Sequence, residues 1–312
     1  MLSEQPQPVK GIMLKVCAVM LFIIMSALIK ATSEHVPAGQ AVFFRSFFAI
    51  PVILIWLALR GNLSTGLKVT SVMGHFWRGV VGTTAMGLSF AGLGLLPLPE
   101  VTALGYAAPL LVVIFAAMFL NEQVGVFRIS AVALGLVGVL IILAPRLTTL
   151  TGPNVQTAEA VGALLVMVAA ICAALAQIYI RKLVATEESS AIVFYFSVTS
   201  TILALLTLPF GWVWPTGTEA SLLILAGVLG GTAQMFLTSA YRYADASVIA
   251  PFDYASMLFA LAIGYVFFDE VPTQPMLMGA ALIILAGIII IVRERYLGLK
   301  RGRARAMHTP QG

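Results

Sequence analysis

Ten stretches of about 20 predominantly apolar residues follow one another along the chain, roughly at 11–31, 37–59, 75–96, 99–120, 126–144, 159–180, 189–209, 219–241, 246–268 and 274–292. About 20 residues is the length at which an α-helix crosses the hydrocarbon core of a bilayer. A backbone inside lipid must satisfy its own hydrogen bonds, so such runs predict spanning helices rather than strands. Composition closes off the soluble alternative. The chain is 60% hydrophobic and 10% charged, whereas a soluble domain carries about a quarter charged residues. The expected class is an all-α integral membrane protein with ten transmembrane helices. The first run, Gly11–Ala31, is long and lacks a clean small-residue cleavage site, so it is expected to be a retained span and not a leader. Cys17 and Cys172 lie inside runs at no motif spacing, which predicts small buried hydrophobes and not a disulfide or metal site.

Orientation follows from where the basic residues fall. The side that carries both termini takes Lys10, Lys15, Arg60, Lys68, Arg78, Arg128, Arg181, Lys182, Arg242, Arg293, Arg295, Lys300, Arg301, Arg303 and Arg305, and the opposite side takes Lys30 and Arg146. The positive-inside rule then places both termini in the cytoplasm. Trp56 and Trp77 fall near one boundary, Trp212 and Trp214 near the other, as aromatic belts require. The basic tail from residue 293 reads as inside charge in contact with anionic lipid and not as a nucleic-acid arm. It is expected to be disordered beyond Leu299.

The chain is also written twice. Residues 79–122 align with 227–270 at a constant shift of 148, with ten identities in 44 positions. GVVGTTA (79–85) meets GVLGGTA (227–233), Tyr106 meets Tyr254, and Asn121-Glu122 meets Asp269-Glu270. Further upstream the shift is 151, so VFFRS (42–46) meets VFYFS (193–197). Five spans per copy is an odd number, so the second copy enters the membrane inverted. Inverted repeats of this kind enclose a midplane site in transporters. The expected organisation is a first repeat over 1–144, an external (periplasmic) linker over 145–158, a second repeat over 159–292 and a cytoplasmic tail over 293–312.

Together with the five-plus-five organisation, PAGQAVFFRSFFA (37–49), LNEQV (120–124) and FFDEVP (267–272) make the chain resemble the EamA-type members of the drug/metabolite transporter superfamily. APFDYASMLFA (250–260) and VFFRSFFAIP (42–51) are similar to the subgroup that contains riboflavin importers and S-adenosylmethionine carriers of alphaproteobacteria. The resemblance implies transport of a small metabolite and leaves the substrate open, because the superfamily carries amino acids, nucleotide derivatives, polyamines, vitamins and drugs.

Polar groups inside the runs are the candidate site, since an isolated charge at mid-membrane costs about 2.5–3.5 kcal/mol or more. Arg45 lies roughly 12 Å below the outer boundary of span two. Its guanidinium suits an anion or carbonyl clamp, or a structural role on backbone carbonyls. Asp253 lies roughly 10 Å into span nine, two residues after Pro251, which removes a backbone donor and loosens the turn. It could bind a proton or a cationic group, or simply stabilise a helix start. The two differ in depth, so no direct ion pair between them is expected. One charge on each side of the midplane suits a zwitterionic or dipolar substrate. Tyr106 and Tyr254 are expected to flank the central cavity or to be core tyrosines. A planar substrate such as a flavin would fit such walls. Thr84, Gln234 and Gln177 are further candidates for substrate contact, against helix packing on the neighbouring glycines. Glu122 and Glu270 are expected to cap the helices that follow them. His35, His75 and His308 are expected in loops or tail.

There is no phosphate-cradling loop, no HExxH and no GxSxG in the sequence, so neither an ATP-driven pump nor a familiar hydrolase is indicated. The expected function is secondary transport by alternating access in a bacterial inner membrane, with no cofactor or metal. Riboflavin uptake is the first substrate choice. Amino acids, S-adenosylmethionine or export of another metabolite or drug are the alternatives. The different-class alternative is a membrane scaffold or enzyme. Expected partners are the small-molecule substrate, membrane lipids and a second copy through the small-residue faces GLVG and LAGI of spans five and ten.

Overall fold

The computed structural model describes residues 8–61, 63, 66–120, 126–148, 157–184, 186–243 and 250–307, and among them it is all-helical. Helices stand in every one of the ten apolar windows. They are α1 (Pro8–Thr32), α2 (Ala38–Phe47), α3 (Ala49–Leu59), α4 (Val72–Leu93), α5 (Leu98–Gly105), α6 (Ala107–Leu120), α7 (Val126–Thr148), α8 (Thr157–Val184), α9 (Ser189–Leu205), α10 (Gly217–Tyr243), α11 (Ala255–Phe268) and α12 (Gln274–Met307). Five stretches are helical, apolar and long enough to cross a membrane: Val9–Thr32, Ala38–Leu59, Leu98–Phe115, Ala158–Ile180 and Gly217–Leu237. The chain is therefore a multi-pass membrane protein in architecture. Most of the linker and Glu122 lie outside the described residues, as does His308.

Three windows are broken helices. Span two is interrupted at the single residue Phe48, between α2 and α3, and span four at Tyr106, between α5 and α6, both in right-handed helical backbone geometry. Span nine begins as a 3-10 stretch, Ala250–Tyr254, before α11. APFDY is thus not the interior of a regular helix. Pro251 and the turn that follows it replace the α geometry expected there. The breaks at Tyr106 and Tyr254 fall at repeat-related positions.

The strongest packing joins the two halves of the chain: α1 packs on α10, α4 on α8 and α7 on α12, and α9 packs on both α4 and α2. The α1–α10 and α8–α4 pairings are counterparts under exchange of the halves. The α7–α12 contact depends on glycine. A Cβ at Gly138 would meet the Gly279 carbonyl at 2.7 Å, so both helices need bare backbone to approach. The GLVG face is consumed inside the molecule, and Gly287 of LAGI lies under the Tyr254 hydroxyl. The glycines of both motifs are thus used inside the molecule, while Val137, Leu285 and Ile288 of the same motifs face outward.

Outward stripes follow helical spacing. Met13, Cys17 and Met20 are exposed on α1, and Val161, Leu164, Val168 and Ile171 on α8. Cys17 was expected inside the bundle. It sits instead on the apolar outer face, and Cys172 is half-buried. Two more expectations change. Helix α7 runs on through Pro145 to Thr148, past the expected start of the linker. The tail is helical through Met307, in keeping with the helix propensity of its Leu, Lys, Arg and Ala residues.

Candidate functional site

Helix α1 carries a lysine near each end, and both reach span nine. Lys15, the eighth residue of α1, is 2% exposed, and its Nζ lies 2.6 Å from Asp253 Oδ1. The Asp253 side chain keeps 47% of its surface open. Charge assignment by loop placed Lys15 outside the membrane. Its place within an apolar run was the signal that it belongs to the bundle. Asp253 is therefore not a lone acid but half of a pair whose cation is enclosed and whose anion is half-exposed.

At the far end of α1, Lys30 Nζ pairs with Glu270 Oε1 at 3.0 Å and donates to the carbonyls of Leu93 and Leu96. The other Glu270 oxygen accepts from the Leu98 N–H at 2.9 Å, capping α5. Asp269 adopts a left-handed φ of 52°, which Asp tolerates, and the Glu270 N–H returns to Gly264. Glu270 does cap a helix, but one in the other half of the chain and not the helix that follows it. The two lysines, 15 residues apart and roughly 22 Å along the axis, tie α1 to span nine at both ends.

Tyr106 and Tyr254 meet edge to face, with ring centroids 5.2 Å apart and planes at 73°. The Tyr106 hydroxyl bonds Ser256 Oγ, which in turn donates to the Asp253 carbonyl. The repeat-related rings close on one another and hold no slot between them. They lie beside the Lys15–Asp253 pair, so spans one, four and nine converge there.

A second cluster surrounds Phe196 on α9. The Arg78 guanidinium lies 3.6 Å from the ring centroid and the Arg45 guanidinium 5.6 Å from it. Arg45 is 5% and Arg78 8% exposed. Arg45 Nε, Arg78 Nε and Nη1, and the neighbouring Ser46 Oγ are buried without a hydrogen-bond partner. Among the described residues, neither arginine forms an ion pair. Repeat-related glycines make the room. A Cβ at Gly82 would strike Arg78 Nη1, and one at Gly230 would come within 3.2 Å of Arg45 Nε. Arg45 and Phe196 are repeat counterparts, so this cluster also lies where the two halves meet. Arg78 was expected at the membrane boundary. Helix α4 begins at Val72 and carries it two turns inward.

His75, expected in a loop, is buried on the same face of α4. Its Nε2 stands 3.3 Å from Glu187 Oε2, within ion-pair range but outside hydrogen-bond geometry. Glu187 Oε1 accepts from the Thr70 and Ser71 N–H groups. Burial would raise the Glu187 pKa, but those backbone donors and His75 outweigh it and hold the carboxyl below its ordinary range.

The remaining candidates separate. Thr84 is exposed on the outward stripe of α4 with Met73 and Trp77, and its hydroxyl serves the Val80 carbonyl of its own helix. Gln177 is also exposed, but on the α8 face opposite the apolar stripe, and Gln234 is half-buried on α10. The structure brings Arg45 together with Arg78, and Asp253 with Lys15, Tyr106 and Tyr254. Arg45 and Asp253 do not pair. No group of three or more metal-ligating side chains occurs among the described residues.

Comparison with known proteins agrees with this architecture. The model of the EamA-like transporter family matches twice, over residues 9–144 and 160–293. The chain is 31% identical over 281 residues to the pseudopaline exporter CntI of Pseudomonas aeruginosa, covering 90% of this chain and 95% of that protein. It is 31% identical over 261 residues to the riboflavin transporter of Rhizobium johnstonii, covering 83% and 82%. It is 27% identical over 284 residues to the S-adenosylmethionine uptake transporter of Rickettsia prowazekii, covering 90% and 93%. A solved crystal structure, 20% identical, superposes with a TM-score of 0.65 over 93% of this chain and 99% of its own. That likeness concerns the fold alone.

Proposed function

This chain belongs to the EamA-like transporter family, and from that premise we propose that it is a secondary carrier of a small organic metabolite in the bacterial inner membrane, working by alternating access. The observation that carries the mechanism is the pair of ion pairs on α1. Lys15–Asp253 bridges the halves at one end of the bundle and Lys30–Glu270 at the other. A carrier must break contacts between its halves at one end while keeping them at the other. Ten spans in two inverted repeats, 1–144 and 159–292, joined by an external linker and followed by a cytoplasmic tail, account for the double family match and for the exchange-related packing. Removing Lys15, Lys30 and Arg78 from the loop charges leaves the basic bias on the side of the termini, so both termini are placed inside.

Riboflavin remains the first named substrate to test, on the likeness to a riboflavin transporter. The contact between Tyr106 and Tyr254 leaves no flavin slot in this conformation, so a flavin would have to part the rings. An S-adenosylmethionine or amino-acid-like substrate, with separate charges for Arg45 and Asp253, is the second candidate. Uptake by a riboflavin-auxotrophic strain without its own importer is the decisive assay. Growth at micromolar riboflavin that depends on this chain and is lost in Tyr254→Ala supports riboflavin import. No growth from a well-expressed protein rejects it, and labelled amino acids and S-adenosylmethionine are then tested for uptake and efflux. Failure with every solute in both directions would reject the carrier itself.

A further inference from the structure

Two buried cations stand outside the described ion pairs. Lys15 pairs with Asp253 and Lys30 with Glu270, Glu187 stands against His75, and Glu100 is a further buried carboxylate on α5. Arg45 and Arg78 have no described carboxylate, although an unpaired buried cation is among the costliest features a membrane helix can carry. The fold holds both against one ring, where attraction between cation and ring face recovers part of the cost. Three guanidinium nitrogens and the Ser46 hydroxyl still lack partners. A purely structural arginine would use its five donors on backbone carbonyls, as Lys30 does with its ammonium. Gly82 and Gly230, at the same register in the two repeats, are shaped around the guanidinia. The cluster draws on α2, α4, α9 and α10, and α4 and α10 belong to the exchange-related packing pairs.

We infer that Arg45 and Arg78 form an oxyanion site, and that the transported metabolite bears a carboxylate which they grip in a bidentate manner while Phe196 holds them apart when the site is empty. Arg suits this task because its planar fork matches a carboxylate and stays charged. The ring acts as a placeholder: the anion displaces a weak cation–ring contact, not a strong ion pair, so binding does not have to break one. This inference rests on the carrier reading and narrows its substrate class.

The test uses the purified full chain in detergent. Thermal unfolding is followed while sodium acetate replaces sodium chloride at constant ionic strength, or while L-alanine is added at fixed salt, with inorganic phosphate as the comparison oxyanion and riboflavin as the uncharged comparison. The expected result is a saturable rise in Tm with acetate or L-alanine. In Arg45→Gln and Arg78→Gln the apparent affinity falls at least tenfold, and without ligand both variants melt at or above the parent. Arg45→Lys and Arg78→Lys, which keep the charge and lose the fork, should fall between. If neither carboxylate moves Tm, if the shift persists unchanged in the variants, or if phosphate alone stabilises, the inference is overturned. Lower ligand-free Tm in the Gln variants would also overturn it, because it would mark the arginines as structural. Riboflavin transport that ignores acetate and Arg45→Gln would keep the carrier and remove the site. A carboxylate-dependent shift without transport of any solute would do the reverse.

Discussion

Replacing Asp253 by Asn tests the wet–dry asymmetry of the Lys15 pair. The substitution leaves Lys15 Nζ buried opposite a neutral amide. Removing one member of a buried pair costs about 3–5 kcal/mol. Here only the cation is dry, at 3% side-chain exposure against 47% for Asp253. Solvent screening on the acid side reduces the expected loss to about 2–3 kcal/mol. The converse change, Lys15→Met, leaves an aspartate that water can reach, and should cost about 1 kcal/mol or less. The double variant should then be more stable than the two losses predict, with a coupling of about 1–2 kcal/mol. Apparent Tm in detergent at a fixed scan rate is the assay, since unfolding of such a chain is a rate as much as an equilibrium. Additive losses, or a larger cost for Lys15→Met than for Asp253→Asn, would refute the pairing. Transport supplies an independent readout. If Asp253 carries the coupling proton, Asp253→Asn abolishes gradient-driven accumulation and keeps counterflow. Full accumulation by the variant would discard that role.

Other consequences can be checked in the same way. Glu270→Gln should cost about 2–3 kcal/mol, below the full cost of a broken buried pair because Lys30 keeps two backbone carbonyls, and Tm against Glu270→Asp measures it. Glu187 sits below the ordinary carboxylate range, so its stabilising contribution is complete above about pH 4.3 and is lost as pH falls through the lower folded value. The drop in Tm on acidification below pH 4 should accordingly be larger in the parent than in Glu187→Gln. Gly287→Ala drives a methyl group into the Tyr254 hydroxyl. It should cost about 1–3 kcal/mol, with part of the loss recovered when Tyr254→Phe removes the nearest atom.

What was legible in the sequence follows from the kinds of force involved. Span positions and the repeat are one-dimensional signals, because apolar length and register survive without knowledge of neighbours. Every apolar window accordingly holds helix, and the break at Tyr106 has its counterpart at Tyr254. Pairing is three-dimensional. Asp253 was visible as an acid inside an apolar run, but its partner, Lys15, lies 238 positions earlier in the chain and was grouped with loop charges because it stands near the end of a run. Arg78 and His75 were displaced for the same reason: α4 starts three residues before the window, and one turn of helix separates a boundary residue from a buried one. Thr84 shows the opposite error. A polar residue in an apolar run invites a site, yet a threonine can satisfy its hydroxyl on its own helix and face lipid at little cost.

Arg45 was singled out as a charge inside an apolar run, and its repeat counterpart is Phe196, so no symmetric site was expected. The structure turns that mismatch into a contact, since the counterpart ring is the surface on which the arginine lies. The broken symmetry has a physical logic. A two-fold-related pair of arginines would face each other across the interface of the halves and repel. Replacing one with a ring lets the other approach it, and Arg78 then enters from α4 on the same ring. The contact therefore places two cations around one aromatic at the meeting of the halves, where the ring recovers only part of the cost of burying them. A strong ion pair at that place would hold the halves in one state, whereas a cation–ring stack can be exchanged for an incoming anion and re-formed when it leaves.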